Sequence, residues 1–371
     1  MLTKIEISNF KGFNKNFVFD LSDTNSFAFN QECIKDGIVN KAIIYGQNAC
    51  GKSNLGFAIF DLISHLTDKK IEHSYYKNYL NANSNDTKAT FKFTFVFNKS
   101  IVEYIYTKIN YQTLINEELI IDNKSFASID RDKETNFKTN AKGAETLNTE
   151  LGDSNISIIS YISKNSILVE NEINNTFKQF KKFVNGMLYF RSINDAFYIG
   201  FEQGDRYLSH DIVEHNNLED FELFLNNAGI KCNLISKKID DTNYIYFKFD
   251  NKEIQFFDII SSGTHALSIF YFWYQRLKED DGISFLFIDE FDAFYHHTLS
   301  KIIIEKLKEI INTQIILTTH NTSIISNDLL RPDCYFLMYE DSIKSLSNST
   351  VKELREAHNI EKMYRAGSFE K

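Results

Sequence analysis

The sequence predicts an α/β fold, in which a mixed sheet with flanking helices joins an antiparallel β part and carries an inserted, largely helical lobe. Three observations lead to this prediction. Strand and helix patterns alternate at both ends of the chain, a glycine-rich turn joins a buried strand to a helix near residue 46, and the middle of the chain follows a different pattern. Alternating strands and helices are typical of sheets that helices cover.

The first part of the chain predicts strands, one helix and an antiparallel region. Alternation in LTKIEISNF and the apolar run KAIIY (41–45) predict strands within residues 1–45. From Leu55 onward the apolar residues fall on one helical face: Leu55, Ala58, Ile59, Leu62, Ile63 and Leu66. Segments 88–97 and 101–121 alternate with a period of two, as antiparallel strands do.

The second part returns to an α/β pattern after a polar middle. Residues 122–180 are poor in apolar side chains and predict loops and surface helices. A helix that is apolar nearly all round, and therefore predicted to be buried, follows the SSGTH segment; strand 283–288, helix 299–311 and strand 314–318 come next. We expect two parts of one α/β lobe (1–121 and 261–330), an inserted lobe (122–260) and a C-terminal arm (331–371).

Composition excludes several classes of protein. The 43% hydrophobic content is that of a globular chain, and no apolar run reaches the roughly 18 residues that a membrane span needs. The four cysteines are scattered and predict neither a zinc site nor a disulfide framework. A net charge of −9 argues against nucleic-acid binding over the whole surface but permits a local basic patch. We expect a cytoplasmic protein without a membrane partner.

The glycine-rich turn carries the most specific motif of the chain. GQNACGKS matches GxxxxGK[ST], a pattern that a chain of this length contains by chance in roughly one case in a hundred. A strand precedes it and a helix follows it, as a loop that cradles phosphates requires. The predicted nucleotide-binding residues are Gly46, Gln47, Asn48, Ala49, Cys50, Gly51, Lys52, Ser53 and Asn54.

Each residue type in this motif has a physical reason. Gly46 and Gly51 let the backbone N–H groups point at phosphate oxygens, Lys52 reaches the terminal phosphates, and Ser53 ligates Mg²⁺. The plainer interpretation is a glycine-rich turn with a solvated lysine. The thiol of Cys50 stands at a free position of the motif and is interpreted as incidental. ATP and Mg²⁺ are the predicted ligands.

Two further strand ends supply groups that phosphate chemistry needs. SFLFIDE carries Asp289 and Glu290 to the end of an apolar strand, where we expect Asp289 in the Mg²⁺ shell and Glu290 polarising the attacking water. Acids at strand ends also serve simply to cap the next helix. QIILTTHN ends in His320, 31 residues after Asp289, which predicts a place on the neighbouring strand and a hydrogen bond to the γ-phosphate.

The segment SSGTH begins the apolar helix and presents bare backbone N–H groups. Such a helix start binds anions, although serine caps helices of every kind. Farther along, Glu290, Asp292, His296 and His297 are close together in the sequence. A metal site there is disfavoured, because Glu290 already has a role and paired histidines after a strand are usually solvated.

Together these motifs resemble the ATP-binding-cassette ATPases, in particular the soluble branch that includes RecF and the heads of structural-maintenance-of-chromosomes proteins. GQNACGKS is similar to Walker A, SFLFIDE to Walker B, His320 to the switch histidine and ISNFKGF to that branch's N-terminal strand and loop. The resemblance implies that Ser261, Ser262 and Gly263 contact the γ-phosphate of ATP on a second subunit. Thr264 departs from the acidic or amide residue common there, and Asp292 resembles the D-loop.

The resemblance also implies a function. DEFDAFYHH and LREAHNIEKMYRAGSF are similar to stand-alone RloA-like ATPases of bacterial phage defence. We therefore expect an ATPase that dimerises around ATP or forms a higher homo-oligomer. We expect it to act as a switch or sensor for a separate effector protein, which we expect to be a nuclease. The alternatives are a RecF-like DNA-repair or DNA-binding ATPase and a nuclease with a cassette regulator. Lys11, in the NFK segment, lies near the nucleotide or is simply solvated.

Overall fold

The computed structural model describes residues 1–69, 73–152, 154–191, 198–200, 208–278 and 282–369. In chain order its strands are β1 Leu2–Ser8, β2 Phe17–Asp20, β3 Ile34–Lys35, β4 Ile38–Val39, β5 Lys41–Gly46, β6 Ala89–Phe97, β7 Ser100–Lys108, β8 Leu114–Ile121, β9 Lys124–Asp130, β10 Lys138–Thr139, β11 Met187–Arg191, β12 Tyr198–Gly200, β13 Leu234–Ile239, β14 Thr242–Lys248, β15 Glu253–Gln255, β16 Phe285–Asp289, β17 Gln314–Thr319, β18 Tyr335–Met338 and β19 Ile343–Ser345. The helices are α1 Lys52–Phe60, α2 Ile63–Leu66, α3 Ile158–Asn165, α4 Glu172–Asn185, α5 Leu208–Glu214, α6 Leu218–Asn227, α7 Phe256–Ile259, α8 Ser262–Lys278, α9 His297–Lys308 and α10 Ile360–Arg365.

A seven-stranded mixed sheet holds the predicted motifs, with strand order β12-β11-β16-β17-β5-β18-β19. Its five inner strands are parallel, and the edge strands β12 and β19 run antiparallel to their neighbours. Every residue of β16 and β17 is buried, because helices cover both faces of a parallel sheet. The carboxyl ends of β5, β16 and β17 meet at one edge, which brings together the segments that follow them.

A second seven-stranded sheet is antiparallel, with strand order β10-β9-β8-β7-β6-β1-β2. Along β6 the side chains of Phe91, Phe93 and Phe95 point to one buried face, as the period-two pattern predicts. Gln314 joins this sheet to the mixed sheet, because its side-chain amide accepts a hydrogen bond from the N–H of Leu2 and donates one to the Leu2 carbonyl (3.0 and 2.9 Å). The mixed sheet with flanking helices and the antiparallel part are both as predicted.

A fully buried ion pair lies between α1 and the antiparallel sheet. The ammonium of Lys108 is 2.8 Å from a carboxylate oxygen of Asp61, and neither side chain is exposed. The hydroxyls of Tyr79 and Tyr106 each donate to the same carboxylate at 3.0 Å. A charge at such a depth is tolerated only while these partners satisfy it.

Removal of this carboxylate is therefore expected to be costly. We expect Asp61→Ala to lower the free energy of unfolding by about 3–5 kcal/mol, because Lys108 is left buried without its counter-charge. Asp68→Ala is the matched control: it breaks the exposed pair with Lys164 and should cost no more than about 1 kcal/mol. Urea denaturation of the two variants provides the comparison, and equal losses would contradict a stabilising role for the buried pair.

Residues 122–260 differ from the predicted largely helical lobe. They include α3 to α7, but β9 and β10 extend the antiparallel sheet, β11 lies inside the mixed sheet, and β13-β14-β15 form a small sheet of their own. Two tight hairpins explain the difference: Asp122-Asn123 and Asp240-Asp241 all have positive φ, the conformation that two-residue hairpin turns require. The segment is thus mixed in structure, while the boundaries at 121 and 260 stay a prediction.

The long helix α8 is packed on nearly all sides, as its apolar composition predicts. The side chains of Leu267, Phe270 and Trp273 are all buried, and so are most of their neighbours on the helix. Across the described ranges, none of the helices combines the length and apolar character needed to cross a membrane.

Candidate nucleotide-binding site

The glycine-rich loop connects β5 to α1 and depends on glycine at two positions. A side chain at Gly46 would place its Cβ 2.5 Å from the sulfur of Cys50 and 2.9 Å from the Met338 carbonyl. Gly51 has φ +105°, and Ala49 also lies in the left-handed region at φ 65°. Gln47, Asn48 and Ala49 are exposed at the crest of the loop. The turn thus has the tight curvature that a backbone cradle for phosphates needs.

Lys52, the first residue of α1, curls back over this loop. Its ammonium donates to the carbonyls of Gly46 (2.8 Å) and Gln47 (3.1 Å) and lies 3.1 Å from Nδ1 of His320. The side chain is almost fully buried, and this burial lowers the pKa of Lys52. The ammonium is therefore held at the mouth of the loop by weak acceptors, which a phosphate oxygen can replace.

Ser53 and Asp289 meet on the other side of the loop. The hydroxyl of Ser53 donates to a carboxylate oxygen of Asp289 at 2.6 Å, and Thr318 donates to the second oxygen at 2.7 Å. Asp289 is fully buried at the end of β16. Mg²⁺ is commonly held by one or two protein oxygens together with phosphates and water. Ser53 and Asp289 fit that requirement and would hold the ion of Mg·ATP.

Glu290 directly follows Asp289 and stands in an unusual backbone conformation. Its φ is 50°, in the left-handed region that costs a non-glycine residue of order 1–3 kcal/mol. The backbone N–H of Glu290 donates to the hydroxyl of Thr318 at 2.8 Å, which anchors this turn on the neighbouring strand. The strained turn directs the carboxylate toward His320, at 3.3 Å from its Nε2.

His320 follows β17 and links the loop to the carboxylate of Glu290. Its Nδ1 is 2.9 Å from the Gly46 carbonyl and 3.1 Å from the Lys52 ammonium, while Nε2 faces Glu290. The tautomer with the proton on Nε2 donates to Glu290 and leaves Nδ1 to accept from Lys52. The histidine therefore lies within hydrogen-bond distance of both the cradle and the acid, although they come from separate segments.

The serine–glycine segment lies at the start of α8. Ser261 accepts a hydrogen bond from the N–H of Thr264 (3.2 Å), and the two hydroxyls are 3.0 Å apart. Ser261 and Ser262 are exposed, and a Cβ on Gly263 would lie 3.4 Å from the carbonyl of Phe294. The segment thus borders the turn after Glu290. Thr264, which departs from the family pattern, pairs with the capping serine.

Sequence comparison identifies the family. The model described as "AAA domain, putative AbiEii toxin, Type IV TA system" (AAA_21) matches residues 41–326, most of the chain. The chain belongs to the AAA_21 family. The match runs from the strand before the glycine-rich loop to just beyond His320, so it contains every site residue described above. No curated protein sequence matches the chain.

Solved structures similar to this AAA_21 protein include three heads of structural-maintenance-of-chromosomes proteins. The head from Thermotoga maritima is 15% identical, with 93% of this chain and 98% of that chain covered and a TM-score of 0.40. A head bound to the C-winged helix domain of ScpA is 15% identical (94% and 99% covered, TM-score 0.45), and one derived from Pyrococcus furiosus is 13% identical (94% and 97%, 0.41).

The fold is the α/β arrangement that the motifs predicted. A P-loop sheet with flanking helices and an antiparallel β part are both present, and the family is one of AAA domains. The AAA_21 match thus agrees with the expected ATPase class. The closer resemblance to RloA-like defence proteins stays a prediction.

Lys11 lies apart from the loop in this AAA_21 protein. Its ammonium donates to the carbonyl of Tyr75 at 2.6 Å and lies 5.5 Å from the ring centroid of Phe57. Lys11 is thus partly buried among aromatic rings, and its hydrogen bond is with Tyr75 rather than with the loop. Its neighbour Gly12 does approach the site: a Cβ there would lie 3.1 Å from the side-chain amide of Asn54.

Other predicted residues have more ordinary surroundings. Burial raises the pKa of the Cys50 thiol, which packs behind the loop and has little nucleophilic character there. Asp292 accepts a hydrogen bond from Thr319 at 2.7 Å, and burial raises its pKa as well. His296 and His297 are exposed at the start of α9.

Two site residues were missed from the sequence. The Tyr189 hydroxyl donates to Asp289 at 3.1 Å, and Nε of Arg191 lies 3.6 Å from the same carboxylate, too far for a hydrogen bond. Both belong to β11, which pairs in parallel with β16 so that Arg191 stands opposite Asp289. The available signal was the apolar run MLYF (187–190) followed by the cation Arg191, but nothing in the sequence pairs that strand with β16.

Proposed function

We propose that the chain binds Mg·ATP in the loop 46–54 and hydrolyses it. The observation that carries this proposal is that His320 lies within hydrogen-bond distance of both Lys52 and Glu290, while the adjacent residues Ser53 and Asp289 form a hydrogen-bonded oxygen pair. The five groups come from three separate strand ends, and a purely structural role would not require this combination. The AAA domain family supports the same chemistry.

The chain's own residues would divide the work among them. Lys52 exchanges its loop carbonyls for phosphate oxygens and stabilises the charge that develops during phosphoryl transfer. Glu290 orients the attacking water and accepts its proton, while His320 holds that carboxylate through Nε2. Ser53 and Asp289 would hold Mg²⁺, which would neutralise part of the negative charge of the phosphates.

We further propose that two copies dimerise around ATP. Ser261, Ser262 and Gly263 would cap the γ-phosphate held by the other copy. Exposed apolar side chains at Ile259 (50%) and Phe294 (39%) border this segment and suit an interface. Binding of ATP at both interfaces would then favour the closed dimer, and hydrolysis would open it.

We propose that the open or closed state of this dimer controls a separate effector protein, and that the two act in bacterial defence. The family description names a toxin–antitoxin system, which supports work beside a second component. RecF-like repair and a self-contained nuclease are the other candidates. None of the described residues forms a group of three or more histidines, cysteines and acids able to hold a metal ion.

The effector proposal predicts that the purified chain by itself does not cleave DNA, RNA or tRNA with Mg²⁺ or Mn²⁺. Cleavage should arise, or become dependent on ATP, when the product of a neighbouring gene is added. Gel electrophoresis of labelled substrates checks both expectations. Cleavage by the chain alone that persists in Lys52→Ala would overturn the effector proposal in favour of a self-contained nuclease.

A further inference from the structure

A cavity of about 370 Å³ lies beside the phosphate loop, at the carboxyl ends of β5 and β18. These strands pair in parallel, with Tyr45 opposite Leu337 and Gly46 opposite Met338. Ligands of open α/β sheets bind outside the carboxyl ends of the parallel strands. Pockets for small molecules and cofactors commonly measure about 300–1,000 Å³. The cavity therefore has the position and the size of a ligand site.

The C-terminal segment supplies one wall of this cavity. Tyr364, on α10, packs edge-to-face on Tyr45 with ring centroids 5.1 Å apart. Burial raises the pKa of Tyr364, and a hydrogen bond with Tyr45 adds to the effect. Tyr339 and Glu340, which follow β18, line the same space. Three aromatic rings and a carboxylate thus surround a cavity whose other side is the outer face of the loop.

The segment that carries Tyr364 is firmly attached. The side-chain amide of Asn327 donates to three of its backbone carbonyls, those of Arg355, Glu356 and His358 (3.0–3.1 Å). Arg365 reaches the hydroxyl of Thr322, two residues after His320, at 3.4 Å. A ring on this segment is therefore held in place beside the loop, as a stacking surface must be.

The cavity also reaches the loop at Cys50, two residues before α1 begins. A Cβ on Gly51 would lie 3.3 Å from Cε of Met338 and 3.5 Å from the ring of Phe13, so the end of β18 and the β1–β2 turn both meet the loop where α1 begins. Phosphates bind at such a helix start, so the sugar and base of a bound nucleotide would lie close to it. Met338 and Cys50 form the part of the cavity wall nearest to this point.

We propose that this cavity receives the purine base of the nucleotide whose phosphates the loop holds, with Tyr364 stacking on the base and Glu340 accepting a hydrogen bond from its exocyclic amino group. This inference rests on the proposed ATP binding and adds its base-recognition site. It gives the C-terminal segment a direct contact with the nucleotide. Stacking on an aromatic side chain suits any base, whereas the carboxylate selects bases that carry an amino group.

Comparing the affinities for ATP and for inorganic tripolyphosphate distinguishes the contribution of the base to binding from that of the phosphates. We expect Tyr364→Ala to weaken ATP binding about tenfold while leaving tripolyphosphate affinity unchanged, and Tyr364→Phe to bind ATP nearly as well as the wild type. Tyr246→Ala is the matched control, since Tyr246 is also half-buried but belongs to the small sheet of β13, β14 and β15. Equal ATP affinity in Tyr364→Ala and the wild type, or equal losses for both ligands, would overturn the proposal.

A second comparison tests the carboxylate. Glu340→Ala should weaken ATP binding several-fold but leave purine riboside triphosphate, which lacks the amino group, bound as in the wild type. Photolabelling with 8-azido-ATP needs no variant and should mark peptides that contain Tyr339 or Tyr364. Labels elsewhere, such as on the β1–β2 turn, would overturn the assignment. Failure of the wild-type chain to bind ATP would refute the proposed function itself. An ATP affinity that neither Tyr364→Ala nor Glu340→Ala changes would refute only the base site.

Discussion

Lys52→Ala is expected to weaken ATP binding about a hundredfold without unfolding the protein. Lys52 is the cation inside the cradle, and its ammonium already makes its hydrogen bonds at the mouth of the loop, to Gly46 and Gln47. A hydrogen bond to a charged group contributes roughly 1.5–3 kcal/mol, and loss of about 2.7 kcal/mol corresponds to a hundredfold change in affinity. The side chain stands at the first turn of α1, so alanine preserves the helix.

Calorimetric titration of ATP into wild type and variant measures this change. Lys92→Ala is the control: Lys92 pairs with Glu103 on the antiparallel sheet and should leave the affinity unaltered. Thermal unfolding of both variants verifies that each is folded. An affinity of Lys52→Ala equal to that of the wild type would refute the assignment of the loop as a phosphate cradle.

Glu290→Gln is expected to separate binding from hydrolysis. The amide has the size of the carboxylate and keeps an oxygen near His320, but it cannot accept the proton of the attacking water. Loss of a general base lowers rates by about 10²–10⁴. The left-handed backbone at Glu290 costs glutamine as much as glutamate, so stability should change little. Phosphate release at the wild-type rate, with ATP still bound, would exclude Glu290 as the base.

The same variant should reveal the proposed dimer, because ATP would remain at both interfaces. On gel filtration with Mg·ATP we expect Glu290→Gln to elute as a dimer, and the double variant with Ser262→Arg to elute as a monomer. The arginine would fill the space meant for the partner's γ-phosphate at the start of α8. A double variant with Ser22→Arg, at an exposed serine just after β2, should still dimerise. Dimers in both double variants, or in neither, would contradict the proposed interface.

The sequence predicts best where local pattern and buried position agree. The apolar runs of β5, β16 and β17 could only be strands covered on both faces, and the motif residues follow from their ends. For that reason the predictions for Lys52, Asp289 and His320 placed them at one edge of one sheet, as the structure does. The alternation in β6 and β7 predicted the antiparallel part in the same manner.

The sequence predicts less well where a contact joins distant segments or where a turn decides the structure. The Asp122-Asn123 and Asp240-Asp241 turns make hairpins of stretches whose polar composition resembles loops. The contacts of Tyr189 and Arg191 with Asp289 depend on the pairing of β11 with β16, across a gap of about a hundred residues. Lys11 was expected near the nucleotide or in solvent, but aromatic rings from three segments hold it. Local periodicity carries none of this information.

The most direct test of ATP hydrolysis at this site is the rate of phosphate release from Mg·ATP by the purified wild-type chain, measured beside Lys52→Ala and Glu290→Gln prepared in the same way. We predict steady release by the wild type, none above background with Lys52→Ala at an ATP concentration near the wild-type KM, and a rate lower by about 10²–10⁴ with Glu290→Gln. Equal release by all three proteins would show that the activity does not arise at Lys52 and Glu290, and would contradict the proposed function.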